Sequence, residues 1–88
     1  MATKELAHQH AVYSYGAVPL TLMYSPTATA AWEVYYGGDY LGLIEELHTP
    51  GVDRLFRARR PGEEDFGEGT DLADWRLAVE YLASQAGL

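Results

Sequence analysis

The sequence predicts an α+β domain: an antiparallel meander of three to four strands, covered on one face by a single C-terminal helix. Three observations predict it. Apolar residues recur at every second position in "VPLTLMY", "AWEVYY" and "RLFRARR", the period of a half-buried strand. Gly37-Gly38, Pro50-Gly51 and Pro61-Gly62 punctuate these runs, and such pairs interrupt regular structure. From Leu72 onward the apolar spacing becomes helical, with Leu72, Trp75, Val79, Leu82 and Ala86 on one stripe.

The chain divides into a flexible tail, residues 1–10, and a single domain, residues 11–88. The tail, MATKELAHQH, holds few apolar side chains to anchor it. "HAVYSY" is a candidate for a short extra strand. In the next run Val18, Leu20, Leu22 and Tyr24 share a face and Thr21 lies opposite. Pro19 has no amide hydrogen, so this strand is an edge or Pro19 lies among its first residues. Ser25-Pro26 disfavours helix at Ser25 and predicts a turn over 25–30.

"AWEVYYGGDYLGLIEE" reads as a hairpin. Trp32, Val34 and Tyr36 alternate with Glu33 and Tyr35, and Gly37-Gly38 supplies the positive φ angles of a tight turn. A two-residue loop puts Leu41 and Leu43 on the Trp32/Val34 face. A three-residue loop puts Gly42 and Ile44 there, because a slip of one residue exchanges the faces. Leu41 and Leu43 inward is the preferred register.

"RLFRARR" is the next strand, with Phe56 and Ala58 inward and Arg57 and Arg59 outward. "EEDFGEG" is a polar loop that carries Phe66. The helix runs from Thr70 or Asp71, both good N-caps, to about Ala86, with Gly87 as its stop. Asp71 and Asp74 suit its positive N-terminal end. Leu72, Trp75, Val79 and Leu82 contribute about 1.5–3 kcal/mol each when fully buried, a large share of a domain stability of about 5–15 kcal/mol. The helix must therefore cover a sheet face, with Trp75 as its largest buried residue.

The totals bound the function. Eighty-eight residues make one domain, and a chain of that length buries only about 60–65% of its unfolded surface. With 48% hydrophobic and 22% charged residues the composition is globular. There is no cysteine, hence no disulfide framework and no thiolate zinc site. Met1–His10 lacks the apolar run of a signal peptide, and no window holds 18 apolar residues. The expected location is the cytoplasm, with no membrane contact. Thirteen acids against six bases give a net charge of −7, which opposes generic duplex binding. The positive charge is nevertheless concentrated, with four of the six bases at Arg54, Arg57, Arg59 and Arg60.

The pattern Trp32-x-Val34-x3-Gly38-x3-Gly42-x-Ile44 is followed by Phe56-Arg57-Ala58, a Glu/Gly loop and a terminal helix. It resembles small, uncharacterised β-meander-plus-helix proteins of actinobacterial chromosomes, plasmids and phages. The resemblance spans about residues 18–86. It implies the fold and supplies no activity and no catalytic residues.

No chemical motif stands out. His8-x-His10 and His48 are too few for a zinc site of three or four ligands. Asp65-x-Gly67-x-Gly69-x-Asp71 lacks the ladder of a calcium loop. There is no Gly-x-Ser-x-Gly, and the paired carboxylates Glu45/Glu46 and Glu63/Glu64 work only when a fold aims them across a cleft. Gly67-Glu68-Gly69 before a helix would suit an anion, but Glu68, Asp71 and Asp74 repel one. No catalytic residue, metal or cofactor is assigned, and a small enzyme is the disfavoured reading.

Two features remain. Arg57 and Arg59 share a face at period two, flanked by Arg54 and Arg60, and can grip an acidic protein or single-stranded nucleic acid with Tyr35 or Tyr40 stacking alongside. The plainer reading pairs them across strands with Glu33 and Glu45, and it is preferred. Seven tyrosines are more than one face can bury, and outward tyrosines suit interfaces. The expected function is a non-enzymatic module binding a protein partner, or itself, through the helix-free face, with Tyr35, Tyr40, Arg54, Arg57 and Arg59 as binding residues. The alternative is a nucleic-acid-associated accessory factor using the Arg54–Arg60 strand.

Overall fold

The structure, a computed structural model, describes residues 10–25, 30–47, 55–63 and 68–88. The tail expected at residues 1–10 lies outside the described residues apart from His10, as do Pro50-Gly51 and Phe66. The elements in order are β1 (Ala11–Tyr15), β2 (Val18–Ser25), β3 (Ala31–Tyr36), β4 (Asp39–Leu47), β5 (Leu55–Arg59), β6 (Thr70–Leu72) and α1 (Trp75–Gln85). The strands form one antiparallel sheet in sequence order, with α1 on one face. The fold is α+β as expected, but among the described residues the sheet has six strands rather than three to four.

Both additional strands have a physical cause. "HAVYSY" does form β1, because Gly16, at φ +61°, turns the chain so that Tyr15 meets Val18 and Tyr13 meets Leu20. Thr70–Leu72, expected as the start of the helix, is instead the edge strand β6. Phe56 lies opposite Leu72, and Arg57 opposite Asp71. The helix therefore begins later. Its N-cap is Asp74, whose carboxylate accepts from the Arg76 backbone N–H at 3.3 Å. Gly87, at φ +87°, ends it as expected.

Strand β2 is flanked by β1 and β3 and is no edge. Pro19 survives there because it is the second residue, opposite Ser14. The pair beside a two-residue turn, Tyr15 and Val18, exchanges both backbone bonds, so Ser14–Pro19 is a pair that exchanges none. The missing N–H of Pro19 points toward β3, beyond the last β2–β3 partners, Thr21 and Tyr35.

The hairpin register departs from both simple alternatives. Its turn is the two-residue Gly37-Gly38, yet Tyr35 faces Tyr40 while Val34 faces Gly42, so Leu41 is an extra residue in a β-bulge. Leu41 and Gly42 both lie toward the core, and alternation then resumes in the opposite phase. Ile44 faces Trp32 and is fully buried, whereas Leu43, expected inward, lies on the helix-free face. The helix fixes the bulge. A β-carbon on Gly42, at φ +142°, would strike the Arg59 carbonyl and stand 2.8 Å from Leu82 Cδ2.

The core lies between sheet and helix. Leu20, Leu22, Trp32, Val34, Ile44, Phe56 and Ala58 from the sheet meet Ala78, Val79, Leu82 and Ala83 from α1. Ala78 and Ala83 join the buried helical face, Leu72 packs against the core from β6 rather than from the helix, and Ala86 is exposed. Trp75 is only half-buried. Its ring packs edge-on against Tyr13 at 5.4 Å, and Trp32 is the largest fully buried side chain. The sheet also curls around the helix. Five strand spacings would set β1 and β6 about 24 Å apart in a flat sheet. Yet Tyr13 of β1 donates to Glu80 at 2.5 Å, and Thr70 of β6 donates to Tyr81 at 3.2 Å, so the two outermost strands reach adjacent residues of the same helix. Among the described residues no helix is long and apolar enough to cross a membrane.

Candidate functional site

With α1 covering the concave side, the other side of the sheet carries the residues of opposite phase. Register places them in three rows. The first runs Val12, Thr21, Tyr35, Tyr40, the second Met23, Glu33, Leu43, Arg59, and the third Ser25, Ala31, Glu45, Arg57, Asp71. The expected shared surface of Tyr35, Arg57 and Arg59 is therefore one face, although the residues lie in different rows.

The first row is uncharged and is open at its two ends, with Thr21 and Tyr35 half-buried between them. Val12 is 70% exposed, Tyr40 41% and Met23, in the adjoining row, 37%. The rings of Tyr35 and Tyr40 stack at 5.5 Å with their planes tilted by 56°. Tyr35 is held along the strand by donating to Glu33 Oε1 at 3.0 Å, and this hydrogen bond, with burial second, raises its phenol above the ordinary value. Beside it lies a shallow groove of about 320 Å³ lined by Thr21, Met23, Tyr35, Gly37 and Gly38. Gly37 and Gly38 have no side chains to fill it.

The third row and its neighbours are ion-paired. Arg57 donates to both oxygens of Asp71, Nε to Oδ1 at 2.6 Å and Nη2 to Oδ2 at 3.1 Å. The hydrogen bond holds the Asp71 carboxyl below the usual carboxylate range and raises the guanidinium further. Arg59 reaches Glu45 at 3.3 Å and the Glu63 carbonyl at 3.4 Å. The side chains of Arg57 and Arg59 are only 20% and 11% exposed. Cross-strand pairing with Glu45 occurs as the plainer reading expected, but Arg57 takes Asp71 rather than Glu33. Arg60 lies off the face, donating to Glu63 at 3.0 Å and to Gln85 at 3.2 Å. Arg54 lies outside the described residues.

Other constellations come apart. Strand alternation sends Glu45 to the helix-free face and Glu46, 7% exposed, to the opposite one, so that pair does not share a cleft. Glu64 and Asp65 lie outside the described residues. The glycines before Thr70 precede a strand rather than a helix. His10 accepts the Tyr24 backbone N–H at Nδ1, 3.1 Å away, while His8 and His48 lie outside the described residues. Among the described residues no three His, Asp or Glu side chains are grouped to hold a metal ion. Four tyrosines, Tyr13, Tyr15, Tyr24 and Tyr81, pack against the core. Tyr36, expected on the core face, is exposed at the end of β3 beside the turn.

No family model matches the chain, and neither a curated protein nor a solved structure matches it. The reading of this face rests on its own chemistry. Val12 and Met23 were not among the sequence candidates, although each stands out of phase with its inward neighbours, Tyr13 and Leu22. Asp71 was missed as an arginine partner because its segment reads as a helix start.

Proposed function

We propose that this chain is a non-enzymatic interaction module that binds a protein partner, or a second copy of itself, through the helix-free sheet face. One observation carries the reading: the row Val12, Thr21, Tyr35, Tyr40, in which Val12 and Tyr40 are exposed and Thr21 and Tyr35 half-buried, with the exposed Met23 beside it. Tyrosine and methionine are enriched at protein interfaces, and tyrosine contributes contact area at low entropic cost. The proposal includes kinship with the small β-meander-plus-helix proteins that the hairpin pattern resembles. It also includes a cytoplasmic location.

The arginines weigh against the nucleic-acid reading. Arg57 and Arg59 are held by carboxylates and largely covered, so gripping phosphate requires breaking pairs that already exist. Of the candidate binding residues, Tyr35 and Tyr40 carry the proposal. Arg57 and Arg59 form its polar border.

The test compares the wild type with a Tyr35→Ala/Tyr40→Ala double variant as immobilised baits in native-host extract. Surface changes usually stay within about 0.5 kcal/mol of neutral, so the variant should keep its melting temperature and lose the proteins the wild type retains. Retention of the same proteins by both baits removes the face from the interaction. A parallel titration with labelled single-stranded oligonucleotides at low salt should show no binding at micromolar protein. Tight binding lost on replacing Arg57 and Arg59 overturns the protein-partner reading in favour of nucleic acid.

A further inference from the structure

We infer that the open edge of β1 is a separate interaction surface, and that it takes the same edge of a second copy of this chain in antiparallel pairing. The inference does not rest on the helix-free face being a binding surface.

Among the described residues, strand β1 has β2 on one side and no strand on the other. Its register fixes which backbone groups are open. Tyr15–Val18 is the bonded pair beside the turn, so Tyr13–Leu20 and Ala11–Leu22 are bonded pairs as well. Val12 and Ser14 alternate with them. Their N–H and C=O groups point away from β2, and both residues are exposed, Val12 at 70%. Natural edge strands are normally blunted by charge, proline, a bulge or shortness. Ala11–Tyr15, sequence AVYSY, has no charge, no proline and no bulge.

The opposite edge is blunted. Strand β6 has three residues, and its central one is Asp71, bound to Arg57. Addition of β1 to the β6 edge of another copy would pair only three residues, whereas β1 against β1 pairs along its full length. Head-to-tail growth is thereby disfavoured and a closed two-fold dimer favoured. An antiparallel two-fold is self-complementary by construction. With the axis at Tyr13, the centre of β1, all five residues are paired, and Val12 lies opposite Ser14 of the second copy on the helix-free side, each exchanging the bonds that point away from β2. On the helix side Tyr13 meets its own copy, and the small Ala11 lies opposite Tyr15. Since β1 is uncharged, the net charge of −7 acts on the dimer as a diffuse repulsion, and added salt should strengthen association.

Sedimentation of the full chain from low to high micromolar concentration should show a concentration-dependent dimer. Hydrogen exchange at the Val12 and Ser14 amides should slow as concentration rises. Ser14→Pro removes the outward N–H but no bond to β2, because Ser14 faces Pro19 in a non-bonded pair, and Tyr13 before it is already extended. Across a two-fold the variant loses two intermolecular bonds, which should weaken association about tenfold or more, while Ser14→Ala associates like wild type. The exchange measurement on wild type keeps the test valid should Ser14→Pro fail to fold. A monomer at every concentration overturns the inference, and so does a dimer in which those two amides exchange unchanged. Tyr35→Ala/Tyr40→Ala should dimerise normally. Its loss of dimer would move self-association to the sheet face and overturn the edge.

Discussion

Gly42→Ala tests the packing on which the hairpin register depends. The new β-carbon would strike the Arg59 carbonyl and stand 2.8 Å and 3.2 Å from the two methyls of Leu82. Leu82 is fully buried. The carbonyl is β5 backbone, opposite Leu43 in the ladder, so it cannot yield without drawing β5 away from β4. Overpacking of this kind costs about 1–3 kcal/mol, and a side chain at φ +142° adds about 1–3 kcal/mol of backbone strain. The sum, about 2–6 kcal/mol, consumes much of the stability of about 5–15 kcal/mol typical of a domain. Gly38→Ala is the control, since a β-carbon there meets nothing within 4 Å and should change stability by about 0.5 kcal/mol or less. Urea unfolding followed by tryptophan fluorescence measures both, because Trp32 is fully buried and reports core exposure. In the unbulged register Gly42 would face solvent, where alanine is tolerated. A loss below about 1 kcal/mol for Gly42→Ala would therefore refute the bulge and the seating of Leu82 against it.

Trp32→Ala should cost about 3–5 kcal/mol, and Trp75→Ala distinctly less, because Trp32 is fully buried and Trp75 only partly; calorimetry that ranks them in the reverse order would place the core centre at the helix. Asp71 has a depressed carboxyl through its bond to Arg57, so its contribution is present above the unfolded aspartate value of about 3.9 and is lost as pH falls through the lower folded value. The melting temperature of Asp71→Asn should thus lie slightly below wild type at neutral pH and converge with it in acid. The gap should be small, about 1 kcal/mol or less at low salt, because the Asp71 side chain is 38% exposed and screened. A gap that persists unchanged at acid pH would mean that Asp71 acts through something other than its charge.

The legible parts of the fold are those decided locally. Phe56 and Ala58 alternate with Arg57 and Arg59, and no partner is needed to see which side is buried. Gly37-Gly38 announces its own turn. The bulge at Leu41 is different. Nothing between Gly38 and Glu46 reveals it, because its cause is Leu82, forty residues onward, occupying the space a Gly42 side chain would need. Thr70–Leu72 fails for a related reason. Thr and Asp are the residue types that cap helices, and only pairing of Arg57 with Asp71 turns them into a strand. The site inherits both limits. Tyr35 and Tyr40 were readable from alternation near the turn, while the partner of Arg57 was hidden by the misplaced helix start.

The same extra residue divides the helix-free face into two kinds of surface. Before the bulge, Tyr40 stands opposite Tyr35 on that face. Continued alternation from Tyr40 would carry Ile44 and Glu46 outward and send Leu43 and Glu45 into the core. Insertion of Leu41 reverses the phase, so Ile44 turns in against Trp32 and Glu45 turns out to meet Arg59. The aromatic end is thereby left open and the arginine end closed on itself. An isolated arginine strand would be a site for anions, but a carboxylate delivered to its side by the bulge, and another by β6, makes it a neutralised border. The exposed tyrosines are what that arrangement leaves available for contact.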